Sequence, residues 1–305
     1  MPSKIEWLGK NGETWNPIVG CSKVGEGCAH CYAERTAHRL GSNPATPQYH
    51  GLTSDGHWTG EVRFVPEQLD KPLRWRKPRS IFVCSMGDLF HPYVEALWRG
   101  AIFGVMAATP QHRYVVLTKR TERVIPFFSR LDDLAEAIGG AFPDDSVEWR
   151  RAQLLKGSYC RLAGSDAWPR DFQSDEMSWP LPNVWIGPSV WDQDSWNMAA
   201  PHVAALKGAG WQTVVSAEPL LGPIDIMATY VGATVHDPFG PNPFSYIDAL
   251  IVGGETGPGL HGWEDATGCA RVGRNHSGRR GDGREHNDRP WGVDSPRAEE
   301  AADAR

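Results

Sequence analysis

Five short apolar runs constrain the fold of this 305-residue chain more than any other feature: IFVC (81–84), YVVLT (114–118), VWIGP (184–188), TVVSA (213–217) and ALIVG (249–253). Each is nearly continuous in apolar residues, the pattern of strands covered on both faces in a parallel sheet. Between them, residues 94–108, 122–134 and 195–209 carry helical spacing. With one short strand ahead of a cysteine-bearing segment, the count is six strands alternating with helices. That predicts an α/β fold, a (β/α)6 barrel or part of one, with a doubly wound open sheet as the competing architecture. Residues 135–182, with scattered Trp and Pro, read as an insertion between the third and fourth strands. The barrel region is expected over 1–262. The remainder, 263–305, is rich in Arg, Gly and Asp with almost no apolar periodicity, the composition of a disordered tail.

In parallel α/β folds, ligands gather at the carboxyl ends of the strands. Here those ends read SMGDLFHP (85–92), TKR (118–120), SV (189–190), AEPLLG (217–222) and GGETGPG (253–259). They are far more polar and glycine-rich than the strands they follow. Five such ends together predict a ligand over one rim.

Half of the six cysteines fall within eleven residues, as Cys21, Cys28 and Cys31 with spacing C-x6-C-x2-C. The N-terminus lacks the apolar stretch of a signal peptide, and no run approaches the eighteen or so apolar residues of a spanning helix. The expected location is therefore cytoplasmic, with no membrane partner, where thiols stay reduced and clustered cysteines serve metals or redox groups. A tetrahedral zinc site needs a fourth ligand, for which His38 or His50 is available. A three-thiolate [4Fe–4S] cluster needs none, and leaves one iron free for a substrate or cofactor. A formal net charge of −6 gives no global attraction to nucleic acid. The basic stretch 71–79, with Trp75 among its cations, is a local alternative for phosphate contact and stacking.

The segment NPIVGC…GCAHCYAE (16–34) resembles the cluster loop of radical S-adenosylmethionine enzymes, particularly the spore photoproduct lyase-like branch. CSMGDLFHP, VVLTKR and SAEPLLGPID resemble further segments of that branch, in the same order along residues 5–260. The chain is similar, closer still, to a phage-associated group of radical-SAM-like proteins carrying TWNP-x-x-GC and SM-x-DLFH. The resemblance implies a partial TIM-like barrel. It implies Cys21, Cys28 and Cys31 as ligands of a [4Fe–4S] cluster, whose open iron takes the amino and carboxylate groups of S-adenosyl-L-methionine. By position it places His30 near the adenine, and Ser85, Gly87 and Asp88 at the methionine ammonium. Lys119 falls at the methionine carboxylate, and Glu218 with Gly253, Gly254 and Glu255 at ribose or adenine. Cys84, at the end of the second strand, corresponds to a cysteine that returns a hydrogen atom to the product radical. The implied chemistry is reductive cleavage of S-adenosylmethionine to a 5′-deoxyadenosyl radical that abstracts hydrogen from substrate, fed by flavodoxin or ferredoxin. A nucleic-acid base is the expected substrate. The alternatives are a zinc-stabilised, non-catalytic binding module and a degenerate member of the same superfamily.

Overall fold

A computed structural model describes residues 5–137, 146–164, 168, 172, 177–226 and 246–253, together with the backbone of two short strands, Thr229–Val231 and Thr234–His236. Its centre is a six-stranded sheet of β1 (Gly12–Trp15), β2 (Ser80–Val83), β3 (Arg113–Thr118), β4 (Val184–Val190), β5 (Gln212–Ala217) and β6 (Ala249–Val252). The strands lie in sequence order and every pairing is parallel. All five apolar runs are strands, and the short strand expected before the cysteines is β1. Nowhere does the strand order reverse, so the switch point of a doubly wound sheet is absent from this sheet.

Alternation along the strands sends side chains to two covered faces. Tyr114 and Val116 of β3 join Ile81, Val83, Val184 and Ile186 in the main core. That core packs under α2 (Ala96–Ala107), α3 (Val124–Ala137) and α4 (Val147–Ala163), while α5 (Gln193–Gly208) covers β4 and β5 through Trp196, Ala200 and Val203. The opposite face carries Val115, Leu117, Trp185, Val214 and Ile251, met by Trp7 from the 3-10 turn Glu6–Leu8. One pocket is lined jointly by Trp7, Ser80, Val115, Trp185, Val214 and Ile251, which represent every strand from β2 to β6. A flat sheet would spread those strands over about 19 Å, at about 4.8 Å per neighbour. The sheet therefore curves around Trp7, and among the described residues β1 and β6 do not pair.

The expected insertion contributes α4, which docks on α2 where Gly100 and Gly104 present no side chain. A Cβ at Gly100 would lie 2.6 Å from Ser158 Oγ, and one at Gly104 would lie 2.9 Å from the Leu155 carbonyl oxygen. The helix is thus part of the main core through Ala152, Leu155 and Tyr159. The expected tail 263–305 lies outside the described residues. No described helix is long and apolar enough to cross a membrane. The basic stretch 71–79 precedes β2, at the end of the sheet away from the polar rim. There Lys71 and Arg79 lie over Trp75 at 5.4 and 4.9 Å, and Arg79 pairs with Glu13 at 2.5 Å.

Candidate active site

The cysteine loop leaves β1 and crosses the carboxyl rim before α1 (Tyr32–Gly41) begins. Its entry is fixed by backbone contact. Gly20 donates its N–H to Met86 at 3.0 Å and bridges to Gly87. Gly20 has φ +90°, and a Cβ at Gly87 would lie 3.0 Å from the Gly20 carbonyl oxygen. Both glycines are required by this close passage of two backbones. Ser85, expected at a ligand ammonium, instead donates to Asn16 Oδ1 at 3.1 Å, and the same oxygen accepts the Met86 N–H at 3.0 Å.

Asp88 and Arg120 form the buried centre of the rim. Each is 5 % exposed, and Arg120 Nη1 donates to Asp88 Oδ2 at 2.8 Å. The second oxygen of Asp88 accepts from Thr118 Oγ1 at 2.7 Å and from the Phe90 N–H at 2.9 Å. Asp88 was expected to face a bound ammonium; both of its oxygens are committed inside the protein, and Arg120 is what reaches the loop. Arg120 Nη2 donates to the Ser22 carbonyl at 2.8 Å and to Ser22 Oγ at 3.0 Å, and Nη1 approaches Cys21 Sγ at 3.8 Å. Burial, then the Asp88 carboxylate, pushes the Cys21 thiol up to about 12 against the pull of Arg120. A metal there would have to displace that proton.

His91 completes this half. Its Nδ1 accepts the Tyr93 N–H at 3.2 Å, which places the proton on Nε2, and Nε2 donates to Ser22 Oγ at 2.8 Å. Burial and the neighbouring Arg120 hold the imidazole down to about 4, so it is neutral at physiological pH. In this tautomer His91 is not a base for Ser22; the pair orients the loop rather than forming a nucleophile.

The rest of the loop is tied at three further points. Lys23 pairs with buried Glu34 at 3.0 Å. The Tyr32 ring is half exposed, while its enclosed hydroxyl donates to the Ser85 carbonyl at 2.6 Å. Trp191 packs on the loop glycines: a Cβ on Gly25 or Gly27 would lie 2.6 Å from its ring. Cys28 closes a 3-10 turn, Cys31 is the N-cap of α1, and Cys28 is near enough to act electrostatically on Cys21. His30 is exposed beside them.

Across the rim, Lys119 Nζ donates to Ser189 Oγ at 2.7 Å and lies 5.8 Å from the centre of the Trp191 ring. Ser189 in turn donates to the Glu218 carbonyl at 3.1 Å. The Glu218 carboxyl is raised by burial, opposed by Ser216, the Trp7 indole and Lys119, and it fills the space that a Cβ on Gly253 would occupy. Lys119, Glu218 and Gly253 are thus gathered, whereas Gly254 and Glu255 lie outside the described residues. Cys84 lies beneath the rim, its thiol against the Ile18 backbone and near Asp88. It is 3 % exposed within the main core, at φ +56°, and burial raises its thiol. The strand ends one residue before it, and its left-handed backbone turns the chain into the 85–88 segment.

Among the described residues no three His, Cys, Asp or Glu side chains converge to hold one metal ion. His38 Nδ1 meets Thr53 Oγ1 at 3.2 Å and His50 Nε2 donates to the Asn43 carbonyl at 3.0 Å, so neither is turned to the cysteines. A four-iron cubane takes each thiolate on a separate iron and needs no such convergence. Three soft sulfur donors on one tethered loop, with a guanidinium directed at one sulfur, fit that donor chemistry. Sequence reasoning missed Arg120, Ser22, His91, Asn16 and Trp191. The first four lie in or beside quoted motifs, but nothing in a linear sequence says which of Lys119 and Arg120 turns toward the loop.

The fold and site define an α/β protein with a cysteine loop strapped over the carboxyl rim of a sequentially ordered parallel sheet. The family model described as "Protein of unknown function (DUF5131)" matches residues 2–266, and the chain belongs to that family. No curated protein and no solved structure matches.

Proposed function

We propose that this protein is a radical S-adenosylmethionine-type enzyme, built on a partial (β/α)6 TIM-like barrel whose Cys21, Cys28 and Cys31 hold a [4Fe–4S] cluster. The observation that carries the reading is the position of the three-thiol loop over the carboxyl rim, with Arg120 directed at Cys21 Sγ. When bound, the cluster with S-adenosylmethionine supplies single-electron reductive cleavage of a sulfonium carbon–sulfur bond, with flavodoxin or ferredoxin as the electron source. The chain's own residues do the rest. Arg120, braced by Asp88 and Thr118, fixes the loop and offers an N–H to sulfur, which tunes a thiolate ligand. Lys119 presents a cation to the methionine carboxylate, because its present partner, the Ser189 hydroxyl, is neutral. Glu218, seated against Gly253 where a side chain would exclude it, offers an acceptor to ribose hydroxyls. Trp191 lies between the loop glycines and Lys119 and walls one from the other. The substrate is a nucleic-acid base.

The test is anaerobic iron–sulfur reconstitution followed by EPR of the reduced protein, with and without S-adenosylmethionine. The expected result is a reduced-cluster signal that changes when S-adenosylmethionine is added and is lost in Cys21→Ala. A colourless protein holding one zinc, indifferent to S-adenosylmethionine, overturns the reading and leaves a metal-stabilised binding module.

A further inference from the structure

Beside the cysteine loop, the first turn of α2 and the turn that follows β3 each carry an arginine without a counter-charge. Arg99 lies over two rings, 5.3 Å from the centre of Phe127 and 6.0 Å from that of Phe90. Phe127 is one helical turn beyond Arg123, so the two guanidiniums border the same patch. Nε and Nη1 of Arg99 and Nε of Arg123 are shut off from solvent and have no hydrogen-bond partner. The rings favour the Arg99 cation, but the three buried donors are unmet, and each costs stability until a ligand or partner satisfies it. Burial and then Arg123 bring Arg99 down to about 10. The one carboxylate acting on Arg99, Asp88, is committed to Arg120. The N-cap of α2, Glu95, makes no side-chain cap, so the first N–H groups of that helix add a positive field at the same end. Tyr93, 70 % exposed, packs against His91 at 5.4 Å between ring centres, and His91 in turn feels the Arg123 charge.

We infer that Arg99 and Arg123 form a binding site for a tetrahedral phosphate oxyanion, with Tyr93 as a stacking platform for the base that accompanies it. Forked guanidinium donors match phosphate oxygens, and an exposed tyrosine accepts any base face. The oxyanion comes either from a nucleotide or single-stranded nucleic acid, or from free phosphate. The site does not depend on a bound cluster, so it stands or falls separately from the redox reading.

The experiment uses the full chain without reconstitution. Inorganic phosphate and a short single-stranded oligothymidylate are titrated by thermal shift and fluorescence anisotropy, on wild type, Arg123→Gln, Arg99→Met and the exposed control Lys77→Gln, at the end of the sheet away from the rim. Wild type and the control are expected to bind. Each patch variant is expected to lose about tenfold to a hundredfold in affinity, the loss of a charge-assisted donor. In the oligonucleotide arm each removal lowers the salt slope by about one. A second reading separates ligand site from scaffold: without phosphate, Arg123→Gln melts at or above the wild-type temperature, because unmatched charge has been removed. Oligonucleotide binding far tighter than phosphate assigns the nucleic-acid source; equal binding assigns free phosphate. Wild type that binds neither, patch variants that bind as wild type does, or an Arg123→Gln protein that melts several degrees lower overturns the proposal.

Discussion

The two halves of the carboxyl rim are built from the same kinds of residue and behave differently. Over β2 and β3, Asp88 and Arg120 are each 5 % exposed, and both oxygens of the carboxylate are engaged. Over β4 and β5, Lys119 and Glu218 are only partly buried, and Lys119 is satisfied by a neutral hydroxyl. The first is an ion pair in low dielectric, where a missing partner leaves an uncompensated charge. The second has a cation near a carboxyl but not bonded to it. A ligand carboxylate could take the place of Ser189 at little cost. The comparison teaches that the half nearer the cysteines is architecture, fixing where the sulfurs stand, and the other half is where ligand groups exchange.

The largest test of that division removes Arg120. Arg120→Met keeps much of the side-chain volume and leaves Asp88 buried without its cation. Urea denaturation should show a loss of about 3–5 kcal/mol. The double variant Asp88→Asn with Arg120→Met should recover part of it, since neither charge then remains. A loss below about 1 kcal/mol in the single variant would mean that the pair is exchangeable and the two halves are alike.

Acid separates the halves by sign. His91 has its folded value held below its ordinary 6.5, at about 4, so its contribution is present above pH 6.5 and lost as pH falls toward 4. At about 1.4 kcal/mol per unit this amounts to about 3 kcal/mol. Glu218 is raised, so its contribution runs the other way: present at low pH and lost as pH rises through its folded value. Stability measured from pH 7 down to 4 should therefore fall in wild type, and fall less in His91→Gln, whose amide does not titrate. The same scan in Glu218→Gln should fall more steeply than in wild type, because the opposing contribution is gone. Equal slopes in all three proteins would break the assignment.

How much of this was legible follows from what each residue's neighbours are. The strands were readable because burial on both faces demands uninterrupted β-branched and aliphatic runs, and Val115 and Val116 serve opposite faces of β3 with no polar residue between. The helix boundaries fell within a few residues of 94–108, 122–134 and 195–209. Helix α4 was hidden in an apparent insertion. Its buried residues Ala152, Leu155 and Tyr159 are sparse, and its docking surface is the missing side chains of Gly100 and Gly104 on another helix. The cysteine loop announced itself by spacing. Its clamp did not, because Arg120 acts across 98 residues of chain on Ser22, and Trp191 reaches glycines at 25 and 27 from the end of β4, three strands away from β1. Cys84 sits at the strand end as its position suggested, but what the sequence did not show is its enclosure: at 3 % exposure and φ +56° its thiol lies beneath the loop, against the Ile18 backbone and near Asp88.

The smallest effect on stability, and the sharpest on ligand exchange, is expected from Lys119→Met. The unbranched side chain can still lie along Trp191, and the loss is one partly exposed hydrogen bond to Ser189, so unfolding should shift by less than about 1 kcal/mol. The cation is what changes. In wild type it lies 5.8 Å from the centre of the Trp191 ring, close enough for tryptophan fluorescence to report its movement when a carboxylate-bearing ligand arrives. Titrating the reconstituted protein with S-adenosylmethionine should then give a saturable fluorescence change that weakens about tenfold or more in the variant, while the unfolding midpoint hardly moves. Glutamine at 119, neutral but still able to donate to Ser189, distinguishes charge from hydrogen bonding: it should behave as Met does toward the ligand. A Lys119→Met protein that loses as much stability as Arg120→Met, with ligand response intact, would show that both halves of the rim are scaffold and that exchange occurs elsewhere.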